Sequence, residues 1–263
     1  MTLTECSKQQ ITLCESTSLP RYFSTLISRG SQYVFTPPPF TDLASILRAS
    51  LALKFDSLST FATHALTSMW PDTLPSHHTP IQGLAKNAEE TIVLARKCRL
   101  PSLLKRAFYE LLRSPGLGQS AVEEFMLDGD EETRDRKKVG KTDLVMLIRT
   151  REELASQWAR GAALPPAPRD FPCPISTLLN EEGRKCAEAT VNAVEHWRET
   201  VLSGDLYVEY MNDPIEGLER LGEVAWEEKG FCKGCVEGWR ASWRRQREKI
   251  WENLDLWLEL PQA

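Results

Sequence analysis

The chain has 263 residues, 41% of them hydrophobic and 26% charged, enough for one large or two small domains with a sizeable core. Lys and Arg number 32 against 37 Asp and Glu, a net charge of −5 that argues against a whole-chain nucleic-acid binder. No apolar run reaches the length of a membrane span, and MTLTECSKQQ lacks the basic and apolar regions of a secretory signal. The expectation is an intracellular protein, in cytoplasm or nucleus, that keeps clear of membranes and whose seven cysteines stay reduced.

Residues 1–39 are rich in Ser, Thr and Gln, end in Pro37-Pro38-Pro39, and predict an irregular segment with a strand fragment at most around Tyr33-Val-Phe35. From Thr41 the period becomes helical, with Thr41 or Asp42 as N-cap and Leu43, Ile46, Leu47 and Leu51 on one face. Asp56 is expected to cap a second helix bearing Leu58, Phe61, Ala62, Leu66 and Met69, stopped by Trp70-Pro71. A loop with His77-His78 follows, then a helix from about Ala88 to Cys98. Pro101 suits the first helical position of the next one, whose stripe Leu103, Leu104, Ala107, Phe108, Leu111 and Leu112 ends at Ser114-Pro115-Gly116. Residues 128–141 turn from acidic to basic without an apolar anchor and read as a loop. Leu144, Leu147, Ile148, Leu154 and Trp158 then predict a helix from Thr142 to Arg160, with Gly161 past its end.

Prolines at 165, 166, 168, 172 and 174 mark residues 161–175 as a stiff linker. Beyond it, Asn180 can cap a helix bearing Ala187, Val191, Val194, Trp197 and Val201, with Gly204 after it. Asp213-Pro214-Ile215-Glu216 has the residue types of a helix start. The last helix, from about Val236, carries Trp239, Trp243, Ile250, Leu254 and Trp257. The fold class is all-α: an irregular helical bundle with 1–39 irregular, 40–160 helical, 161–175 a proline-rich linker and 176–263 a C-terminal helical subdomain.

Chemistry concentrates in one place. In GFCKGCVEGW, Cys232 and Cys235 flank a turn whose glycines let two sulfurs converge, as in a zinc knuckle. Cys173, in the linker, and Cys186, on the helix after it, complete a four-cysteine set, with His196 as a spare nitrogen ligand. One structural Zn²⁺ on Cys173, Cys186, Cys232 and Cys235 is therefore one reading, and would fasten a region interrupted by prolines. A thiol-redox pair of Cys232 and Cys235 is a second, although the βαβ context such pairs use is missing. Buried thiols without a task are the third; Cys6, Cys14 and Cys98 belong there.

No GxSxG, GxxxxGK[ST], HExxH, GxGxxG or DxDxDG occurs, so no catalytic residue, bound organic cofactor or small-molecule substrate is expected, and the chain reads as no enzyme. The basic run Arg244, Arg245, Arg247 could suit a phosphate backbone, but Glu248 and Glu252 interleave with it and favour a solvated helix face. Most of the eight tryptophans fall in the C-terminal half, where helix–helix packing is their expected use.

Three segments carry a resemblance: ILRASLALKFDSLSTFATHALTSMWP, VLARKCRLPSLLKRAFYELLRSPG and FCKGCVEGWRASWRRQREKIWENLDLWLEL. Together, over about residues 40–260, they resemble the region that follows the BTB domain in a fungal family of BTB/POZ-domain proteins. The resemblance implies a helical, BACK-like region acting through protein partners, in a class of proteins that can recruit substrates to cullin-based ubiquitin ligases. A complete BTB fold needs about a hundred residues, and roughly forty precede Thr41, so the BTB fold itself is expected to be largely missing.

Overall fold

A computed structural model describes residues 38–76, 84–114, 139–167, 173–175 and 180–260. Among them are ten α-helices and no strand, the all-α class expected. The expected strand fragment at 33–35, His77-His78 and nearly all of the loop over 128–141 lie outside the described residues.

The chain divides into two compact units. The first contains, of the described residues, 38–72, 84–107 and 139; the second contains 73–76, 108–114, 140–167, 173–175 and 180–260.

In the first unit, α1 (Phe40–Leu53) packs on α2 (Asp56–Met69) and on α3 (Leu84–Cys98). The expected side-chain caps at Thr41 or Asp42 and at Asp56 do not form. Helix α1 already begins at Phe40, where the extended backbone of Pro39 turns its carbonyl onto the amides of Asp42 and Leu43, and Asp56 is the first residue of α2. Both aspartates lie in first turns, where the helix dipole favours a carboxylate. Lys54 ends α1 in the left-handed conformation, and the Phe55 amide reaches back to the Ser50 carbonyl at 2.8 Å, closing the last turn. Leu43, Ala44 and Leu47 on α1 are buried, as are Ala62, Leu66 and Trp70, and Phe40 meets Trp70 edge to face, while Leu51 and Phe61, expected on buried faces, are exposed. Arg48 of α1 and Glu90 of α3 pair at 2.7 Å. Helix α4 (Leu104–Arg113), preceded by a 3₁₀ turn that Pro101 opens, is shared: residues 104–107 belong to this unit and 108–113 to the second.

The second unit is built on α5 (Lys141–Ala162), α6 (Glu181–Val191), α7 (Ala193–Trp197), α8 (Leu206–Glu209), α9 (Pro214–Glu223) and α10 (Lys233–Trp257). Helices α5, α9 and α10 pack mutually. Gly161 lies inside α5, not past its end, and the helix runs on to Ala162. Ile148 is exposed; buried Thr150 holds the inner face, donating its hydroxyl to the Met146 carbonyl and to that of Trp257. The single helix expected after Asn180 is interrupted at Asn192 and continues as α7 and a π turn over Arg198–Leu202. The caps at Asn180 and Asp213 form as expected, onto the amides of Gly183 and Glu216.

Asp213 does more than cap α9. Its carboxylate accepts from the buried Tyr109 hydroxyl and pairs with Arg113 at 3.2 Å, and Arg113 also reaches Glu216 at 2.8 Å. Arg113 lies over the Tyr109 ring, which meets Trp251 of α10 edge to face. Burial first, then the Asp213 charge, push the Tyr109 phenol well above its ordinary range. A folded state that holds this proton more tightly keeps the resulting stability below the unfolded phenol value of about 10 and loses it as pH rises from there towards the folded value. Seven of the eight tryptophans lie in this unit, so their fluorescence follows its unfolding in urea. Tyr109→Phe should cost about 1.5 kcal/mol near neutrality, since Asp213 keeps its other partners, and should flatten the decline in stability between pH 9 and 11. Equal alkaline slopes in variant and wild type would refute the assignment.

Candidate metal centre

The four cysteines singled out by spacing come together. Cys186 projects from α6 into the core, and Cys232 is the N-cap of α10, with Cys235 in that helix's first turn. Cys173 and Pro174 lie against them from the short stretch 173–175. Cys173 is half-buried and the other three are buried. The sulfurs of Cys173 and Cys186 are 3.6 Å apart, Cys173 and Cys232 3.7 Å, and Cys186 and Cys235 3.9 Å. All four lie within 4.8 Å of one another.

These distances discriminate. A disulfide needs sulfurs about 2.05 Å apart, so the thiols are free. A tetrahedral ion with metal–sulfur bonds of about 2.3 Å places its ligands about 3.8 Å apart, the separation found for three pairs. The cluster has the ligand number, donor type and compactness of a structural zinc site.

The local backbone explains the convergence. Gly230 has φ +95°, a turn that a side chain would strain, and it passes so near Ala189 of α6 that an added Cβ would lie 3.3 Å away. That turn brings Phe231 and Cys232 back across α6, where the Cys232 amide donates to the Cys186 sulfur at 3.2 Å. Gly234 gives Pro174 its seat: a Cβ there would fall 2.5 Å from the Pro174 ring carbon Cγ. Cys173 is thus held in place by the absence of one methyl group on another segment.

Electrostatics suit thiolate ligands. No acidic residue occupies the first turn of α10, so its positive end is left to the sulfurs, with Cys232 at the N-cap. Without metal, burial pushes the Cys186 thiol up to about 11 and raises Cys235 further. Cys232 moves the other way: burial opposes its ionisation, but the Cys235 amide and the surrounding thiols, acting as donors, outweigh that. A sulfur whose ionisation is favoured among neighbouring thiol donors is a state a divalent cation would complete by displacing the thiol protons.

A chain of aromatic contacts starts at Phe231, the residue before Cys232. Phe231 meets Trp239 at 4.7 Å between ring centres, Trp239 meets Trp226 at 5.8 Å, and Trp226 stacks on Trp197 at 5.3 Å. Trp197 and Trp226 donate their indole N–H groups to the carbonyls of Ala162 and Leu221. His196 packs edge-on against Phe231 and is not among the four clustered ligands. Cys98 lies in the first unit, while Cys6 and Cys14 fall outside the described residues. Val191 and Val194 are exposed, because α6 turns Cys186 and Ala189 inward and α7 turns Trp197 inward.

Of the basic run, Arg244 and Arg245 are exposed, but Arg247 is consumed internally. It donates to the carbonyls of Ile215 and Pro75 and pairs with Glu219 at 2.9 Å. The sequence signal for the Tyr109–Asp213–Arg113 network was slight, since Asp213 read only as a cap. Compared with models of known protein families, with curated proteins and with solved structures, the chain matches none.

Gly234→Ala should displace Pro174 and loosen Cys173 while leaving three ligands untouched. Zinc affinity, measured by competition with a chromophoric chelator, should fall about 10- to 100-fold, as when outer-shell partners are altered. An unchanged affinity would show that Cys173 is not held this way.

Proposed function

We propose that this chain is a non-enzymatic, all-helical interaction module whose second unit is fastened by one structural Zn²⁺ on Cys173, Cys186, Cys232 and Cys235. The observation that carries the metal is the set of four sulfurs at tetrahedral spacing, drawn from three stretches of sequence. Such a site is closed: four protein ligands leave no position for substrate, which separates a structural zinc from a catalytic one. The reading of function as partner binding is supported by large apolar side chains left in solvent on the same unit, among them Leu164, Val191, Val194 and Val208. Partners of the kind implied by the resemblance to post-BTB regions, including substrates brought to a ubiquitin ligase, fit this reading by analogy. No helix is long and apolar enough to cross a membrane among the described residues.

A native mass spectrum of protein purified without chelator should show one zinc per chain, and Cys232→Ser combined with Cys235→Ser should show none. Removing the metal from the wild type should shift tryptophan emission to the red, because Trp239 lies one turn beyond Cys235 on the same helix and packs on Trp226. Wild-type protein that is metal-free yet fully folded would overturn the metal reading. The interaction reading is tested separately: Val194→Asp with Val208→Asp should lose the proteins that copurify with the wild type from its source cells. The same set retained by the variant would reject these two side chains as partner contacts.

A further inference from the structure

The four cysteines are equal as ligands but not as targets. Three are buried, and only Cys173 is half-exposed. They also differ in their backbone. Cys186 and Cys235 sit within helices α6 and α10, where moving a sulfur means moving a helix. Cys173 and Cys232 both lie outside helices, the first in the short stretch 173–175 and the second at an extended N-cap position, φ −71° and ψ 153°. Their sulfurs are 3.7 Å apart, within reach of a disulfide after a modest local shift.

We propose that Cys173 is a site of oxidative modification, the peroxide-reactive ligand of the centre, with Cys232 as its resolving partner, so that a two-electron oxidant releases the metal. The inference rests on the zinc reading above. A peroxide transfers one oxygen to the Cys173 sulfur and leaves as hydroxide, giving the sulfenic acid. The Cys232 thiolate attacks that sulfur, forms the S–S bond and expels a second hydroxide. Two thiolates and one hydrogen peroxide become one disulfide and two hydroxides. Cys186 and Cys235 then remain as the sole thiolate ligands, half of a tetrahedral set, and the ion leaves. A closed zinc–thiolate site with all four sulfurs buried would resist this; the half-exposed sulfur supplies the entry.

The test uses the full chain, loaded with zinc and treated with one equivalent of hydrogen peroxide beside a chromophoric zinc chelator. Samples are stopped by alkylation for peptide mapping. The expected result is one zinc released per peroxide consumed, with Cys173 linked to Cys232 in the first disulfide to appear. Cys173→Ser should slow release about tenfold or more, whereas Cys98→Ser should leave the rate unchanged. If Cys173→Ser does not load with metal, the wild-type time course decides alone, since it reports which pair closes first. Zinc retained under peroxide, or a first disulfide that lacks Cys173, overturns the proposal while leaving the structural zinc in place. Slowed release in Cys98→Ser would also overturn it. A preparation without zinc before peroxide is added fails the metal reading itself.

Discussion

Where α10 begins decides where the four sulfurs of the second unit meet. At about 1.5 Å per residue, its 25 residues extend roughly 37 Å, and its N-cap and first turn together carry two of the four sulfurs. Chain entropy opposes that meeting. Cys173 is 59 residues from Cys232, and Cys186 is 49 from Cys235. Contacts between neutral thiols are weak, a small return for closing loops of that length. A thiolate-bound structural zinc contributes about 10–16 kcal/mol in small folded peptides, comparable with the whole net stability of a domain, about 5–15 kcal/mol. The magnitudes favour metal over thiol packing as what holds the start of the helix.

The rest of α10 is held by different means, one after another. Trp239 and Trp243 lean on Trp226 and Trp197, so the stretch nearest the sulfurs is apolar and flat-sided. Arg247 comes next, a buried guanidinium whose three partners lie on α9 and on Pro75. Trp251 follows against Tyr109, and the Trp257 carbonyl near the end receives the Thr150 hydroxyl. Arg247 cannot be exchanged for lysine on equal terms, because a planar fork serves two carbonyls and a carboxylate at once. These polar contacts confer register along the helix; the apolar layers supply the burial energy.

How much of this could be read from the sequence follows from which signals are local. Helix α4 and the caps at Asn180 and Asp213 are local, and they formed where the residue types placed them. The four metal-spaced cysteines were legible as a set because CxxC in a glycine turn is a backbone signature. What the sequence hid was non-local. Val191 and Val194 look like core by period, yet α6 turns Cys186 inward and α7 turns Trp197 inward, and the valines end in solvent. Gly234 looked like turn chemistry; it is also the space into which Pro174 fits. Arg247 read as surface charge because nothing in its neighbours announces Glu219 or two distant carbonyls.

The two polar fastenings of the unit answer to different chemistry, and this separates their consequences. The Tyr109–Asp213–Arg113 cluster joins the end of α4 to the start of α9 and responds to charge, so alkali weakens it. The sulfur cluster joins α6 to the start of α10; with the proposed zinc bound it would respond to chelators and oxidants, with little dependence on pH once the cation had displaced the thiol protons. Loss of the sulfur pin reaches the aromatic contacts first, through Phe231, which is one residue from Cys232 and 4.7 Å from Trp239. It need not reach Asp213, whose cap, hydroxyl and guanidinium partners are all independent of cysteine. Such an arrangement lets one end of a long helix loosen while its far half stays registered by Arg247, Trp251 and Thr150. Loss of the proposed metal would then be a local event, bounded by the contacts of Arg247, Trp251 and Thr150.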